Sequence, residues 1–278
     1  MKIESIALLS VAAEQYHAHP AVGHSGLVRI MRSPAHFLEY INNPPEPTPA
    51  MEFGTAAHTA ILEPDRFGQT YVVAPKFDRR TKEGKAQAEA WEAANTGKTA
   101  LTADQMDAIQ KMVANIKAHN GAAGLLAKGL AEMSGFWIDQ ETGIECKCRP
   151  DFLSMDGETV VGIVDVKTCV DASADGFGRA IASLRYDVQA AFYHDGLKAL
   201  TGREVPFYFI AVEKDAPYAV AVYEATDEVI KVGRAKYRAA LQLLKWCREN
   251  DRWPAYQPNG EIEPINLPRW ATNFDVDA

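Results

Sequence analysis

The stretch TVVGIVDVK, residues 159–167, limits the fold more than any other part of the chain. Val160, Val161, Ile163, Val164 and Val166 give it the apolar, β-branched composition of a strand buried in a sheet. The same strand carries Asp165 and Lys167. Residues two apart point to one strand face, with Cα atoms roughly 6.5–7 Å apart. Charges enter a buried strand only when paired or when they hold a metal. Taken alone, D-x-K reads as an ion pair at a strand end. Asp151 weakens that reading: it is read as ending a strand within IECKCRPDFL (144–153), and a turn signal, DGE, separates that strand from the next. A hairpin there brings Asp151 toward Asp165. Two carboxylates held together repel unless a cation neutralises them. Such oxygen ligands suit Mg²⁺ or Mn²⁺ and the hydrolysis of phosphodiesters.

The surrounding pattern predicts alternating helices and strands. Ser25 is read as the cap of a short helix over LVRIMR, and Ser33-Pro34 as cap and first turn of AHFLEYIN. PPEPTP (44–49) breaks regular structure, and MEFGTAAHTAILEP then reads as a helix stopped near Pro64. Thr102 with Gln105 forms a capping-box pattern, followed by Met106, Ile109, Val113 and Ile116 at helical spacing and closed by Gly121 and Gly124. Runs 132–139, 144–153 and 159–167 read as an antiparallel meander. A helix is predicted over 186–200, strands over 205–213 and 218–224, and a long helix from Thr226 to about Asn250. Residues 171–185, broken by glycines, read as a mobile arch, and the tail from Trp253 as extended chain wrapped over the body. Phe207, Tyr208 and Phe209 read as sheet core.

Net charge decides against some functions. The 278 residues sum to −8, with a pI near 5.4, which excludes a uniformly basic nucleic-acid coat protein. A local basic channel on an acidic body remains open. No apolar run reaches the ~20 residues of a membrane span. The opening MKIESIALLSVAAEQ reads as structure and not as targeting. Cys146, Cys148, Cys169 and Cys247 have neither disulfide-framework nor zinc spacing, and read as reduced thiols in a cytoplasmic protein.

Pro150-Asp151 followed by Asp165-Val166-Lys167 resembles the signature of the PD-(D/E)XK nucleases. Three further matches extend the likeness. Gly54-x-x-x-His58 is similar to the added histidine of the RecB-like and exonuclease branches. Gln189-x-x-x-Tyr193 is similar to their QxxxY motif, with Tyr186, Gln189 and Tyr193 on one helix face. HSGLVRIMRSPAHF, GTAAHTAILEP, DRRTKEGKA and LPRWA resemble the nuclease domain of RecE-type exodeoxyribonuclease VIII. The resemblance implies a mixed α/β domain in which helices flank a central mixed sheet. It would span 1–278, with a helical segment (1–50), a catalytic core (51–250) and an extended tail (251–278).

It also implies roles. His58, Asp151, Asp165 and the Val166 carbonyl would hold Mg²⁺, with Mn²⁺ able to substitute. Lys167 would orient water or stabilise phosphate charge, Gln189 would position the lysine or a phosphate oxygen, and Tyr186 and Tyr193 would frame the site. Arg79, Arg80, Lys82 and Lys85 read by themselves as a phosphate-contacting arm or a solvated loop, and the resemblance favours the arm. Arg149 reads equally as a phosphate contact or a salt bridge, and Glu132 as a residue able to reach a second metal. The implied activity is degradation of the 5′-ended strand of linear duplex DNA, leaving a 3′ overhang. Its partners would be a single-strand annealing protein and further copies of the chain in a ring. An endonuclease, a 3′-directed exonuclease and a non-catalytic DNA-end-binding module are the rival readings.

Overall fold

The structure is a computed structural model that describes residues 8–257 and 259–268. In chain order the first elements are β1 (Leu8–Leu9), α1 (Ala13–Ala18), α2 (His24–Arg32), α3 (Pro34–Asn42), α4 (Pro49–Leu62), α5 (Pro64–Thr70), β2 (Tyr71–Val73), α6 (Lys82–Ala94), β3 (Thr99–Leu101), α7 (Ala103–Ala118) and α8 (Asn120–Leu126). Then follow β4 (Gly129–Ala131), β5 (Ser134–Ile138), β6 (Glu145–Cys148), β7 (Phe152–Asp156), β8 (Thr159–Cys169), α9 (Ala174–Ser183), α10 (Tyr186–Thr201), β9 (Phe207–Glu213), β10 (Val220–Glu224) and α11 (Asp227–Asn250).

A five-stranded mixed sheet, ordered β10-β9-β8-β7-β4, organises the molecule. β8 pairs parallel with β9 and antiparallel with β7, so it is central. Its side chains alternate between two cores. Val164 and Val166 pack with Ala56, Ala57, Ile109 and Met112 of α4 and α7. Ile163 lies in the opposite core with Phe177, Val188 and Phe192 of α9 and α10. Asp165 and Lys167 share the parity of Ile163 and so face α10. Burial on both faces explains the near-continuous apolar run of this strand. The β8–β9 connection is the helical crossover that parallel neighbours require.

Several local expectations hold. Ser33 accepts from the His36 N–H at 3.3 Å, and Thr102 and Gln105 form the reciprocal capping box of α7. Thr226 caps α11 as expected. The run 44–49 is not a breaker to its end: Thr48 caps α4, whose first turn takes in Pro49. α10 and α11 approach closely because Gly233 has no side chain: a Cβ there would collide with the Asp187 carbonyl.

Other expectations are corrected. Ser25 lies inside α2, whose N-cap is Gly23. Gly121 and Gly124 sit within the separate helix α8, and α7 ends at His119. Pro64 stops α4 and also opens α5, where a missing N–H costs nothing. Residues 171–185 are not an open arch: Ser173 caps α9, and Phe177 is buried against Phe209 and Tyr223. The predicted meander is two hairpins in two sheets. β5 and β6 join β1 in a three-stranded sheet, whereas β7 and β8 belong to the five-stranded one. Pro150, which lacks an N–H to continue a ladder, falls at the break. Asp151 therefore precedes β7 and does not end a strand.

The tail begins as predicted. Trp253 stacks on Phe37 at 5.9 Å, the Pro254 carbonyl accepts from the Ala35 N–H, and Arg32 donates to the Tyr256 hydroxyl. Of LPRWA, Leu267 and Pro268 are exposed, and the rest lies outside the described residues. The reading of MKIESIA, residues 1–7, also falls outside them. Among the described residues, no helix is long and apolar enough to cross a membrane.

Candidate active site

The hairpin of β7 and β8 builds the centre. Phe152 pairs with Val164, which sets Asp151, just ahead of β7, beside Asp165 and Val166 within β8. The Asp151 Oδ2 accepts from the Val166 N–H at 2.8 Å and lies 3.4 Å from His58 Nδ1. His58 reaches this point because α4 packs on β8 through Ala56, Ala57 and Ala60, whose small side chains let the helix lie close. Glu132 completes the group. A ligand atom from each of His58, Glu132 and Asp151 lies within 4.8 Å of the other two.

Glu132 sits between β4 and β5 with φ +55°, a left-handed conformation uncommon outside glycine. Its N–H donates to the Asp151 carbonyl, and its carboxylate accepts from Arg149 Nε at 2.8 Å. Arg149 also donates to the Val11 carbonyl, and its Nη1 is buried without a hydrogen-bond partner. The salt bridge is thus present, and one donor is left over beside the centre. Burial, then the Asp151 charge, pushes the Glu132 pKa up to about 7.

On the α10 side, Asp165 is fully buried. Its Oδ1 accepts from Gln189 Nε2 at 2.7 Å, and Lys167 Nζ lies 2.6 Å from Oδ2. That ion pair is off the line of a hydrogen bond, so Oδ2 has no aligned donor. Burial pushes the Asp165 pKa up to about 6, with Lys167 opposing. Burial opposes charge on Lys167 too, but Asp165 and Asp151 outweigh it and hold its pKa above the ordinary lysine value. The Tyr186 ring lies 4.6 Å from Lys167 Nζ, which confines the ammonium. Tyr193, one helical turn beyond Gln189, is buried.

The start of α10 is fixed from outside. Arg185 precedes it with φ +62° and no side-chain cap. Its carbonyl accepts from His24 Nε2 at 3.0 Å. Burial and the Lys167 charge push the His24 pKa down to about 4, so the ring is neutral at physiological pH. Sequence reasoning gave His24 no role: it opens the stretch HSGLVRIMRSPAHF, but its partner is a backbone carbonyl 161 residues away, which no local pattern announces.

The donor set fits a divalent cation. Carboxylate and imidazole ligands converge, two carboxyls are held above their ordinary pKa by burial, and a buried Asp165 oxygen lacks an aligned donor. Of the predicted ligands, His58 and Asp151 fall in the tight cluster with Glu132. Asp165 adjoins it, engaged by Lys167 and Gln189, and Val166 presents its N–H to Asp151. Arg79, Arg80, Lys82 and Lys85 lie elsewhere, at the start of α6. All four are exposed, with Arg79 paired to Glu92 and Arg80 to Asp78.

A mixed sheet with an aspartate before one strand, D-x-K on the next and glutamine on the crossover helix defines a PD-(D/E)XK-type domain. The comparisons with known proteins agree. Residues 23–267 match the PDDEXK-like domain of unknown function (DUF3799), and the chain belongs to that family. No curated protein matches the sequence. Among solved structures, a "Putative exonuclease" from Eubacterium rectale superposes with a TM-score of 0.62 at 12% identity, over 96% of this chain and all of that one. An alkaline exonuclease from Laribacter hongkongensis gives a TM-score of 0.30 at 16% identity, over 87% of this chain and 97% of that one. At these identities the first likeness speaks for the fold alone, and the second carries no argument.

Proposed function

We propose that this protein is a Mg²⁺-dependent exodeoxyribonuclease acting on linear duplex DNA in the cytoplasm, with Mn²⁺ able to substitute. The observation that carries the reading is the convergence of His58, Glu132 and Asp151 beside the Lys167–Asp165 pair. His58, Asp151 and Glu132 would hold the ion, with Asp165 and the Val166 carbonyl as the further ligands that the family resemblance implies. A bound divalent ion supplies positive charge that acidifies water and neutralises a phosphodiester. Lys167, held protonated by its acidic neighbours, offers a fixed cation to the negative charge that develops on phosphate. Gln189 holds the Asp165 carboxylate against rotation, Tyr186 confines the lysine, and Tyr193 supports the same helix face. Arg149 contributes its spare Nη1 to a phosphate. Arg79, Arg80, Lys82 and Lys85 contact the DNA backbone farther from the centre.

Finer features rest on the resemblance to RecE-type enzymes. These are removal of the 5′-ended strand as 5′-phosphomonoesters, a 3′ overhang, hand-over to a single-strand annealing protein, and a homo-oligomeric ring with DNA in its lumen. The whole of 1–278 would act as one nuclease domain.

Linear duplex DNA labelled at one 5′ or one 3′ end tests the reading, with Mg²⁺, with EDTA, and with Lys167→Ala. Early release of the 5′ label, absent from both controls, is the expected result. Early release of the 3′ label reverses the polarity, and internal cuts make the enzyme an endonuclease. Binding of DNA ends without degradation under either metal leaves a binding module.

A further inference from the structure

Between the β2–β3 ribbon and α6 lies a cavity of about 470 Å³ that the proposed centre does not use. This volume falls in the ~300–1,000 Å³ range of ligand sites. Phe77 and Trp91 form its apolar wall, with ring centroids 6.2 Å apart and planes at 56°. The rings do not stack on one another, so each leaves apolar surface to line the cavity. Both are half-buried. Arg79, Asn95 and Lys98 give polar groups around the wall, together with one acid, Glu92.

Glu92 takes a single nitrogen of Arg79, Nη2, at 2.6 Å. This fixes the guanidinium at the cavity and leaves Nε and Nη1 for another acceptor. The Arg79 side chain is 64% exposed. Residues 76–98 hold six lysines and arginines against four acids, a local positive excess in a chain of net −8. The basic run singled out in the sequence therefore borders an aromatic wall. That pairing is characteristic of surfaces that track an unpaired strand: cations follow the phosphates, and rings stack on whichever base arrives. In a duplex the base faces are already stacked and cannot reach such a wall.

We infer that this cavity binds an unpaired nucleobase of single-stranded DNA on Phe77 and Trp91, with Arg79 and Lys98 on the flanking phosphates. The choice of ligand rests on the nuclease reading, in which a single strand is the product left behind. The cavity lies on the α4–α7 flank of the fold. β2 follows α5, β3 leads into α7, and α7 packs on α4, which carries His58.

The test is anisotropy of a fluorescein-labelled oligothymidylate with the full chain in EDTA, which keeps metal-dependent cleavage off. The wild type is expected to bind the single strand more tightly than a duplex of equal length. Trp91→Ala should weaken that binding about tenfold, and Trp91→Phe, which keeps a ring, should restore most of it. Replacing Arg79 and Lys98 together by alanine should lower the slope of log affinity against log salt by about 1.4. No single-strand affinity in the wild type, equal affinity for duplex, or unchanged binding by a folded Trp91→Ala protein would overturn the inference. The end-label assay reports separately: a protein that binds single strands through Trp91 but digests nothing keeps this site and loses the nuclease reading.

Discussion

On the α10–α11 side of the molecule, Asp195 accepts from Arg234 Nε and Nη2, both at 2.6 Å, and from the Tyr237 hydroxyl, with His194 Nδ1 at 3.1 Å. Lys236 pairs with Asp187 through Oδ2, leaving the Asp187 Oδ1 without a partner, and Arg238 pairs with Asp139. Burial alone would raise the Asp195 pKa, but these donors outweigh it and hold the carboxyl well below its ordinary range. Around Asp151 and β8 the shift has the opposite sign: Glu132 is pushed up to about 7 and Asp165 to about 6. All these acids are buried or half-buried, and the two regions differ in the supply of positive charge. Where the chain provides its own cations and donors, the acids serve the structure. Here three carboxylates, Glu132, Asp151 and Asp165, share only Arg149 and Lys167, and the donor set fits a cation from outside.

The largest effect that could break this comparison is on catalysis. Asp151→Asn and Lys167→Ala should each cut cleavage by about 10²–10³-fold, read as initial rate on linear duplex DNA. Asp151→Asn should leave the EDTA-treated protein as stable as wild type, because it removes a repelling charge while keeping an acceptor for the Val166 N–H. A large loss of stability there would place the cluster with the self-sufficient network. Next, Asp195→Asn should cost about 2 kcal/mol in urea unfolding while activity per folded molecule is unchanged.

The pH dependence should oppose the two regions. Glu132 and Asp165 have native pKa values above their unfolded ones, so the native state binds more protons across that interval. Their contribution is full below the ordinary carboxylate pKa and is lost as pH rises to about 6 for Asp165 and about 7 for Glu132. The Tm of the EDTA-treated protein should therefore lose this contribution across the window, and Glu132→Gln should flatten its upper half. Mn²⁺ should raise Tm more above the window than below it, and should do so little in Asp151→Asn. Asp195 acts in the other direction: its contribution is present above the ordinary carboxylate pKa and is lost as pH falls toward its depressed native value.

A smaller effect sharpens the picture of α10. His24→Leu removes the donor to the Arg185 carbonyl and should lower kcat about tenfold with little change in KM, with His24→Gln recovering part of it. The smallest is Arg80→Ala, an exposed pair with Asp78, which should change stability by less than about 1 kcal/mol.

Much of this was legible in the sequence because local chemistry decided it. Caps at Ser33, Thr102 and Thr226 act within three residues, and the two-residue period of β8 placed Asp165 and Lys167 on one face. Gln189 was legible as a site residue, but its partner was not: the resemblance implies that it positions the lysine or a phosphate oxygen, and it donates instead to Asp165. Other features depended on distant partners. Glu132 enters the cluster through a backbone turn with positive φ, which no glutamate announces in sequence. The meander failed at Pro150, where a break in hydrogen bonding was compatible with either one sheet or two. The glycines of 174–178 suggested an open loop, but the Ser173 cap and the buried Phe177 outweighed their low helix propensity.

The parallel pairing of β8 with β9 bears on how the protein becomes active during folding. Its partners, such as Ile163 and Phe207, are more than forty residues apart, and Gln189 lies in the crossover between them. The local hairpin of β7 and β8 closes a short loop and can form early, bringing Asp151 to Val166. Lys167 gains Tyr186, and Asp165 gains Gln189, only when the crossover docks. In refolding, a partly ordered chain would thus hold the two aspartates near each other before it holds a usable lysine. Activity should return with the slowest phase of structure and not with the first strands.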